Sequence, residues 1–286
     1  MNNNNTVLYL EELVKDYDKD RFIVSLFSSN NYRDQFFTLF AFNIEISRIW
    51  ETVQEESIRH LRLQWWYDVV SKIEKGNNPA IGHPVVESLF NLSQSKEFSF
   101  KYLYKLLDTK RFDLDNKKFS TFEDLIDYCK GSCSSLYFLL LETLSIEGKK
   151  EYDLVDNLSV AWALTGSIRS ILKSSSVGKI LIPSDLMSKY NLVNDDILDK
   201  NRAACLSNII YIMTHNAKEY LEKAVLAEDV LPKRALPLIL LLSITRHYLD
   251  VIEKSNFNLY DKRVILMKPK LINLTLLAAK KRYFNL

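Results

Sequence analysis

Two stretches of this sequence carry polar side chains in patterns that could do chemistry. The first is FAFNIEISRIWETV, Phe40 to Val53, in which Glu45, Ser47, Arg48 and Glu51 interrupt an apolar helical pattern. A helix that buries one face has no packing use for two carboxylates, a guanidinium and a hydroxyl, so these residues are site candidates. Glu45, Arg48 and Glu51 stand at i, i+3 and i+6, a spacing that lets the arginine pair with both glutamates. The second stretch is Asp195-Asp196-Ile197-Leu198-Asp199, a DDxxD pattern. Carboxylates at i and i+4 share a helix face and present hard oxygens to Mg²⁺, which can neutralise a leaving diphosphate. Such a site needs a second carboxylate pair on a facing helix. Here the triplet follows the loop LIPSDLMSKYNLVN, where acidic residues cap a first turn and suit the helix dipole, so a helix start is expected.

The rest of the chain offers few other chemistries. It contains no GxGxxG or GxxxxGK[ST] loop, no HExxH, no CxxC and no GxSxG. The four histidines, His60, His83, His215 and His247, are scattered and suggest no metal set. Cys129 and Cys133 are spaced i, i+4 but have no His or second Cys pair nearby. With Cys205 they make an odd number and read as small core residues of a protein in a reducing compartment. Basic residues form no groove with interleaved aromatics outside the C-terminal segment, which argues against nucleic acid.

The elements that must position these residues read as helices. Only 6 Gly and 6 Pro occur in 286 residues, too few for the turns of an all-β fold, and 47% hydrophobic content argues against disorder. Helical patterns run from about Arg33 to Val53, Glu56 to Ile73, His83-Pro84 onward, and Phe98 to Leu107. A capping-box pattern at Ser120 to Glu123 opens a long helix to about Glu147. Further helices are expected over Tyr152 to Lys173, Asp196 to Leu226 and Pro232 to Lys254. The expectation is one all-α domain over residues 20–260, preceded by an extension over 1–19.

Residues 261–286 form a third segment. After Asp261 come seven cations and no acid, so this segment carries +7 and the rest of the chain −5, within a net charge of +2. Its cations alternate with Val264, Ile265, Leu266, Leu271, Ile272, Leu274, Leu276, Leu277 and Phe284. Two readings are open: a basic amphipathic segment for an anionic membrane surface, or a packed helix with a solvated basic side. The N-terminus shows neither a secretory signal nor an Arg-rich presequence, and the longest apolar run, residues 235–244, is short of the roughly 20 residues a span needs. The expected location is cytoplasmic, with peripheral placement on the inner membrane face, or the mitochondrial matrix in a eukaryote.

Several pieces then fall into one order. Asp20-Arg21-Phe22 and Ser25-Leu26-Phe27 precede FFTLFAFNIEISRI, RLQWWYDVV and His83-Pro84. RFDLDNKKFSTFEDLIDYCKGSCSSL and AWALTGSIRSILKSSSVGKILIPSDL follow. From about residue 20 to 250 this resembles the squalene/phytoene synthase family. It most resembles the branch containing the squalene/phytoene synthase-like assembly factor of respiratory complex I and its bacterial relatives. The resemblance implies an all-α isoprenoid-synthase bundle around a central cavity. In active members two aspartate-rich motifs face each other across it, bind Mg²⁺ and two prenyl diphosphates, and couple them head-to-head through a cyclopropyl intermediate.

Carried over residue by residue, the first motif falls on Ser47, Arg48, Ile49, Trp50 and Glu51, and only Glu51 is acidic. The second falls on Ser167 to Ser174, with Ser170 and Ser174 where the family has aspartates. Arg169 matches an arginine that contacts diphosphate in the family, Lys179 and Pro183 match a basic-then-Pro loop, and Asp113 and Asp115 match an intervening segment. Neutral hydroxyls are weak Mg²⁺ ligands, and Arg48 puts a positive charge where a metal would sit. The expectation is a non-catalytic family member with no metal site. Arg48, Arg169, Lys179, Glu45, Glu51 and Asp113 are its candidate ligand-binding residues, either as a vestigial ion-pair ladder or as a cradle for an anionic head group. The partners expected are a prenyl diphosphate or lipid in the cavity, a complex I subunit, and an anionic membrane. The alternative is a divergent head-to-head prenyltransferase, which would require Mg²⁺.

Overall fold

The computed structural model describes residues 3–79, 82–95, 98–115 and 117–283, with the side chains of residues 3, 4, 282 and 283 excluded. Phe284, counted above in the basic segment, lies outside the described residues, as does the side chain of Arg282. Helices account for the ordered elements, and no strand occurs among the described residues.

The first helices are α1 (Asn3–Tyr17), α2 (Lys19–Ser25) and α3 (Asn30–Thr52). Residues 1–19 therefore contain a helix. Leu10, Leu13 and Val14 are buried, and α1 packs on α3. Their i, i+3, i+4 spacing is the signal for that packing. The α3 helix carries Phe36, Phe37, Phe40 and Phe42 into the core, all nearly inaccessible. Next come α4 (Glu56–Glu74), α5 (Pro84–Ser95) and α6 (Phe100–Leu114). Pro84 opens α5 as its first residue, where its missing N–H costs nothing.

The helix expected over residues 120–147 is three pieces: α7 (Phe122–Cys129), a π-helical turn (Lys130–Ser134) and α8 (Ser135–Thr143). Its capping box lies one residue later than expected. Thr121 Oγ1 accepts from the Asp124 N–H at 3.2 Å, and Asp124 Oδ2 accepts from the Thr121 N–H at 2.9 Å. The π turn occurs where Gly131 meets α6. A Cβ there would collide with Thr109 Oγ1, so the backbone approaches as only glycine permits.

The longest helix, α9 (Lys149–Ser176), packs against α8 and against the later helices α11 (Ala203–Leu226) and α12 (Leu236–Lys254). Between α9 and α11 lie α10 (Ser184–Lys189) and two short 3₁₀ turns over Asn194–Leu198 and Lys200–Arg202. The DDxxD triplet belongs to these turns. Asp196 Oδ2 accepts from the Val193 N–H at 3.0 Å and pairs with Arg202, and Asp199 Oδ1 accepts from the Asn201 N–H at 2.9 Å. Asp196 and Asp199 cap turns, as expected of this stretch, but these are 3₁₀ turns, and the helix expected from Asp196 begins at Ala203. The final elements are α13 (Lys262–Ile265) and α14 (Leu271–Tyr283), the latter against α12.

Residues 233–254, the 3₁₀ turn preceding α12 together with α12, are long and apolar enough to cross a membrane by length and composition. However, 72% of the most apolar window is buried inside the fold. Leu238, Leu240, Leu241, Ile244 and Tyr248 are all within the core, so here the apolar surface is satisfied by protein. Cys129 and Cys133 are buried thiols without a disulfide. Burial pushes both thiols above their ordinary pKa, consistent with small core residues.

Candidate functional site between α3 and α9

Position along two facing helices decides which side chains share a space. On α3, Ser47, Trp50 and Glu51 occupy one arc, and on α9, Ser170, Lys173 and Ser174 stand at i, i+3 and i+4. These two arcs line one open cleft of about 760 Å³, together with Val53, Gln54, Arg59, Val177 and Lys179. The two degenerate motif positions are thus brought together across a single space.

The charge in this cleft is positive. Glu51 is the one carboxylate in its lining, while Arg59, Lys173 and Lys179 are cationic. Arg59 is held in place. Its guanidinium stacks 4.0 Å from the Trp50 ring centre, and its Nε donates to the Val53 carbonyl at 2.6 Å. Sequence reasoning missed Arg59 and Lys173. For Lys173 the signal was its place on the same α9 face as Ser170 and Ser174. For Arg59 no local pattern marked it, because the link to Trp50 is tertiary.

Lys179, in the cleft lining, is anchored on Asp113. Its Nζ donates to Asp113 Oδ1 at 2.5 Å, Lys110 donates to Asp113 Oδ2 at 3.3 Å, and the Tyr128 hydroxyl donates to both oxygens at 3.0 and 2.8 Å. Asp113 is 8% exposed. Burial alone would raise its pKa, but the Lys110 and Lys179 ammoniums and the hydrogen bonds outweigh burial and hold it below the usual carboxylate value of 3.8. Asp113 is a structural counter-ion whose lone pairs are committed. Asp115 sits apart, pairing with Lys117 at 3.0 Å and His60 at 3.5 Å.

The structure separates the other candidates. Arg48 pairs with neither Glu45 nor Glu51, so the ion-pair ladder is not formed. Its guanidinium instead stacks 3.7 Å from the Tyr17 ring centre at the end of α1. Even an exposed aromatic face competes with an exposed ion pair, each worth at most about 1 kcal/mol. Arg48 and Glu45 line a second cleft of about 420 Å³ with Arg62, Trp65, Trp66 and His83.

Arg169 lines a third cleft, of about 610 Å³, with Tyr17, Asp20, Trp162 and Tyr248. There its Nη1 pairs with Asp20 Oδ2 at 3.1 Å, and its guanidinium lies 3.9 Å from the Tyr248 ring centre. Tyr248 donates its hydroxyl to Asp20 Oδ1 at 2.8 Å, and burial followed by the Asp20 charge pushes the phenol well above its ordinary pKa. A carboxylate of the chain itself occupies the guanidinium that the resemblance had suggested for diphosphate. Arg48, Arg169 and Lys179 therefore cannot cradle one head group, because they open into three different spaces.

The donor set of the α3–α9 cleft does not fit a Mg²⁺ cluster. One carboxylate and three hydroxyls face each other where a trinuclear site needs several carboxylates, and nearby cations repel a divalent ion. Among the described residues no group of three or more His, Cys, Asp or Glu side chains could hold a metal. The arrangement suits an anion: hydroxyls on both walls, though Ser170 donates to the Gly166 carbonyl of its own helix at 2.8 Å, two cations without ion-pair partners among the described residues, and apolar rims at Trp50, Val53 and Val177.

Comparison with known proteins places the fold. The chain is 25% identical over 252 residues to the NADH dehydrogenase (ubiquinone) complex I assembly factor 6 of Homo sapiens, covering 88% of this chain and 75% of that protein. Among solved structures, a dehydrosqualene synthase in complex with ligand superposes with a TM-score of 0.83 at 17% identity, covering 99% of this chain and 97% of that one. A squalene synthase from Alicyclobacillus acidocaldarius gives a TM-score of 0.78 at 19% identity, covering 89% and 95%. At those identities the structures speak to the fold alone. The squalene/phytoene synthase family model matches residues 14–270, nearly the whole chain, and this protein belongs to that family.

Proposed function

We propose that this chain is a non-catalytic squalene/phytoene synthase-family protein that acts by binding, in the assembly of respiratory complex I. The observation that carries the reading is the α3–α9 cleft. Its facing positions hold Ser47, Glu51, Ser170 and Ser174 under Arg59 and Lys173, a set that can retain an anion but has too few hard ligands to activate its departure. The complex I role rests on the relatives named as its assembly factors, which align over most of this chain. On this reading the cleft takes a phosphate- or diphosphate-bearing lipid without metal, and the protein works at the membrane where complex I is assembled.

The test has two arms. Purified protein is incubated with farnesyl or geranylgeranyl diphosphate and Mg²⁺, and products are followed by mass spectrometry; binding of the same diphosphates without Mg²⁺ is followed by calorimetry. We expect no head-to-head product, and metal-independent binding weakened about tenfold by Lys173→Ala, the loss of one charge-assisted contact of about 1.5 kcal/mol. Turnover that Glu51→Ala abolishes would overturn the reading in favour of a divergent prenyltransferase. For the assembly role, deletion of the gene in its own host is expected to lower assembled complex I, and Lys173→Ala should fail to restore it fully.

A further inference from the structure

The C-terminal segment leaves a surface that the fold itself does not use. In α14, Leu274 and Ala278 are buried, at 2% and 3% exposure, and fix the helix on α12. Ile272, Leu276 and Lys280 stand at i, i+4 and i+8. At 3.6 residues per turn, their row lies about 180° around the helix from the Leu274–Ala278 row. Ile272 and Leu276 are 71% and 64% exposed. Leu271, and Ile265 and Leu266 at the end of α13, are also more than half exposed. A run of exposed large aliphatic residues within a dozen positions is unusual for a surface packed only by water.

After Asp261 the segment's own charges are of one sign. Two cations of the segment are already paired: Arg263 with Asp261 at 2.7 Å, and Lys281 with Glu228 at 3.2 Å. The second pair ties α14 to the body. Lys262, Lys268, Lys270 and Lys280 have no ion-pair partner among the described residues, and no acidic residue follows Asp261. The linking loop is itself fixed, since His247 Nε2 donates to the Lys268 carbonyl at 3.1 Å. The backbone that carries Lys268 and Lys270 is therefore tied to α12, within a few positions of Leu266 and Ile272.

We infer that the solvent face of α13–α14 docks this protein on an anionic lipid surface, with Ile265, Leu266, Ile272 and Leu276 entering the headgroup boundary and the free lysines contacting lipid phosphates. Separate aliphatic tips ringed by lysines suit a fluid boundary that needs no matching shape. The charge excess selects anionic over neutral lipid. This inference is independent of what occupies the α3–α9 cleft.

The experiment is flotation of the full chain with vesicles of phosphatidylcholine alone, or phosphatidylcholine mixed with phosphatidylglycerol, at low and high salt. Binding is expected only with phosphatidylglycerol and should fall with salt. Lys268→Gln with Lys270→Gln should weaken it about 25-fold, or about fivefold for each lysine at the surface. Ile272→Ser with Leu276→Ser should weaken it by at least about tenfold, with far-ultraviolet dichroism and melting temperature unchanged because both side chains are exposed. Equal binding to neutral vesicles, no binding, or binding indifferent to both double variants would overturn the inference. So would a concentration-dependent dimer in the absence of lipid that Ile272→Ser with Leu276→Ser dissolves, since the face would then belong to a second copy of the chain.

Discussion

Asp113, a ligand-binding candidate by sequence, is a structural residue in the fold. With Lys110, Lys179 and Tyr128 all donating to it, its carboxylate is satisfied in place and has no capacity left for a metal or substrate. Its pKa in the folded protein lies below the ordinary 3.8, so the ionised form stabilises the fold fully above that value and the contribution is lost as pH falls through the folded value. Asp113→Asn should cost about 3 kcal/mol in urea unfolding at neutral pH, because it leaves two ammoniums near each other without a counter-ion. The same variant should show a shallower loss of stability on acidification below pH 3.8 than the parent protein. The serines allow a complementary gain-of-site prediction. Ser47→Asp, Ser170→Asp and Ser174→Asp together place four carboxylates around the α3–α9 cleft. Mg²⁺ is then expected to raise the melting temperature of the triple variant and leave the parent unchanged. An identical Mg²⁺ response in both proteins would show that these positions do not converge.

At the scale of elements, α9 divides the chemistry. Its Ser170–Lys173–Ser174 face borders one cleft, and Arg169, the immediate neighbour of Ser170, borders another. Adjacent helical residues point about 100° apart, so a motif read as a string cannot report which of its members share a space. The same holds for α3, where Ser47 and Glu51 face α9 while Glu45 and Arg48 face Trp65 and His83. The interruption between α7 and α8 is a packing device. Gly131 lets the π turn press onto Thr109, whose hydroxyl is fixed on the Lys105 carbonyl at 2.8 Å. Gly131→Ala should destabilise by about 2 kcal/mol in chemical denaturation, the cost of forcing a methyl into a filled contact. Gly166 lies in mid-helix, and a Cβ added there would meet nothing within 4 Å. Gly166→Ala should instead gain a few tenths to about 1 kcal/mol in the same measurement.

At the scale of the molecule, one large core runs through nearly every helix, and within it α12, with the 3₁₀ turn before it, is the stretch long and apolar enough to cross a membrane among the described residues. Because its aliphatic side chains are already covered by protein, membrane-bound protein should be released by high salt or alkaline carbonate. A requirement for detergent would mean that α12 or another segment leaves the core. The sequence by itself determined the all-α class, most helix positions to within a few residues, the family, and the serines at 47, 170 and 174 that the resemblance sets against the family's aspartates. These follow from helical periodicity, capping chemistry and residue identity, which are local properties. Only the tertiary structure decided that α1 belongs to the bundle and that Arg59 and Lys173 join the serines in one cleft. It alone decided that Arg169 is taken by Asp20 and Arg48 by Tyr17. The physical reason is that a long cationic side chain settles with whichever anion or aromatic face packing brings within a few ångströms. For Arg169 that partner lies 149 positions away in the chain. The C-terminal segment shows both limits. Its charge excess was legible from composition, but which of its leucines and isoleucines remain outside the core depended on how α14 seats on α12.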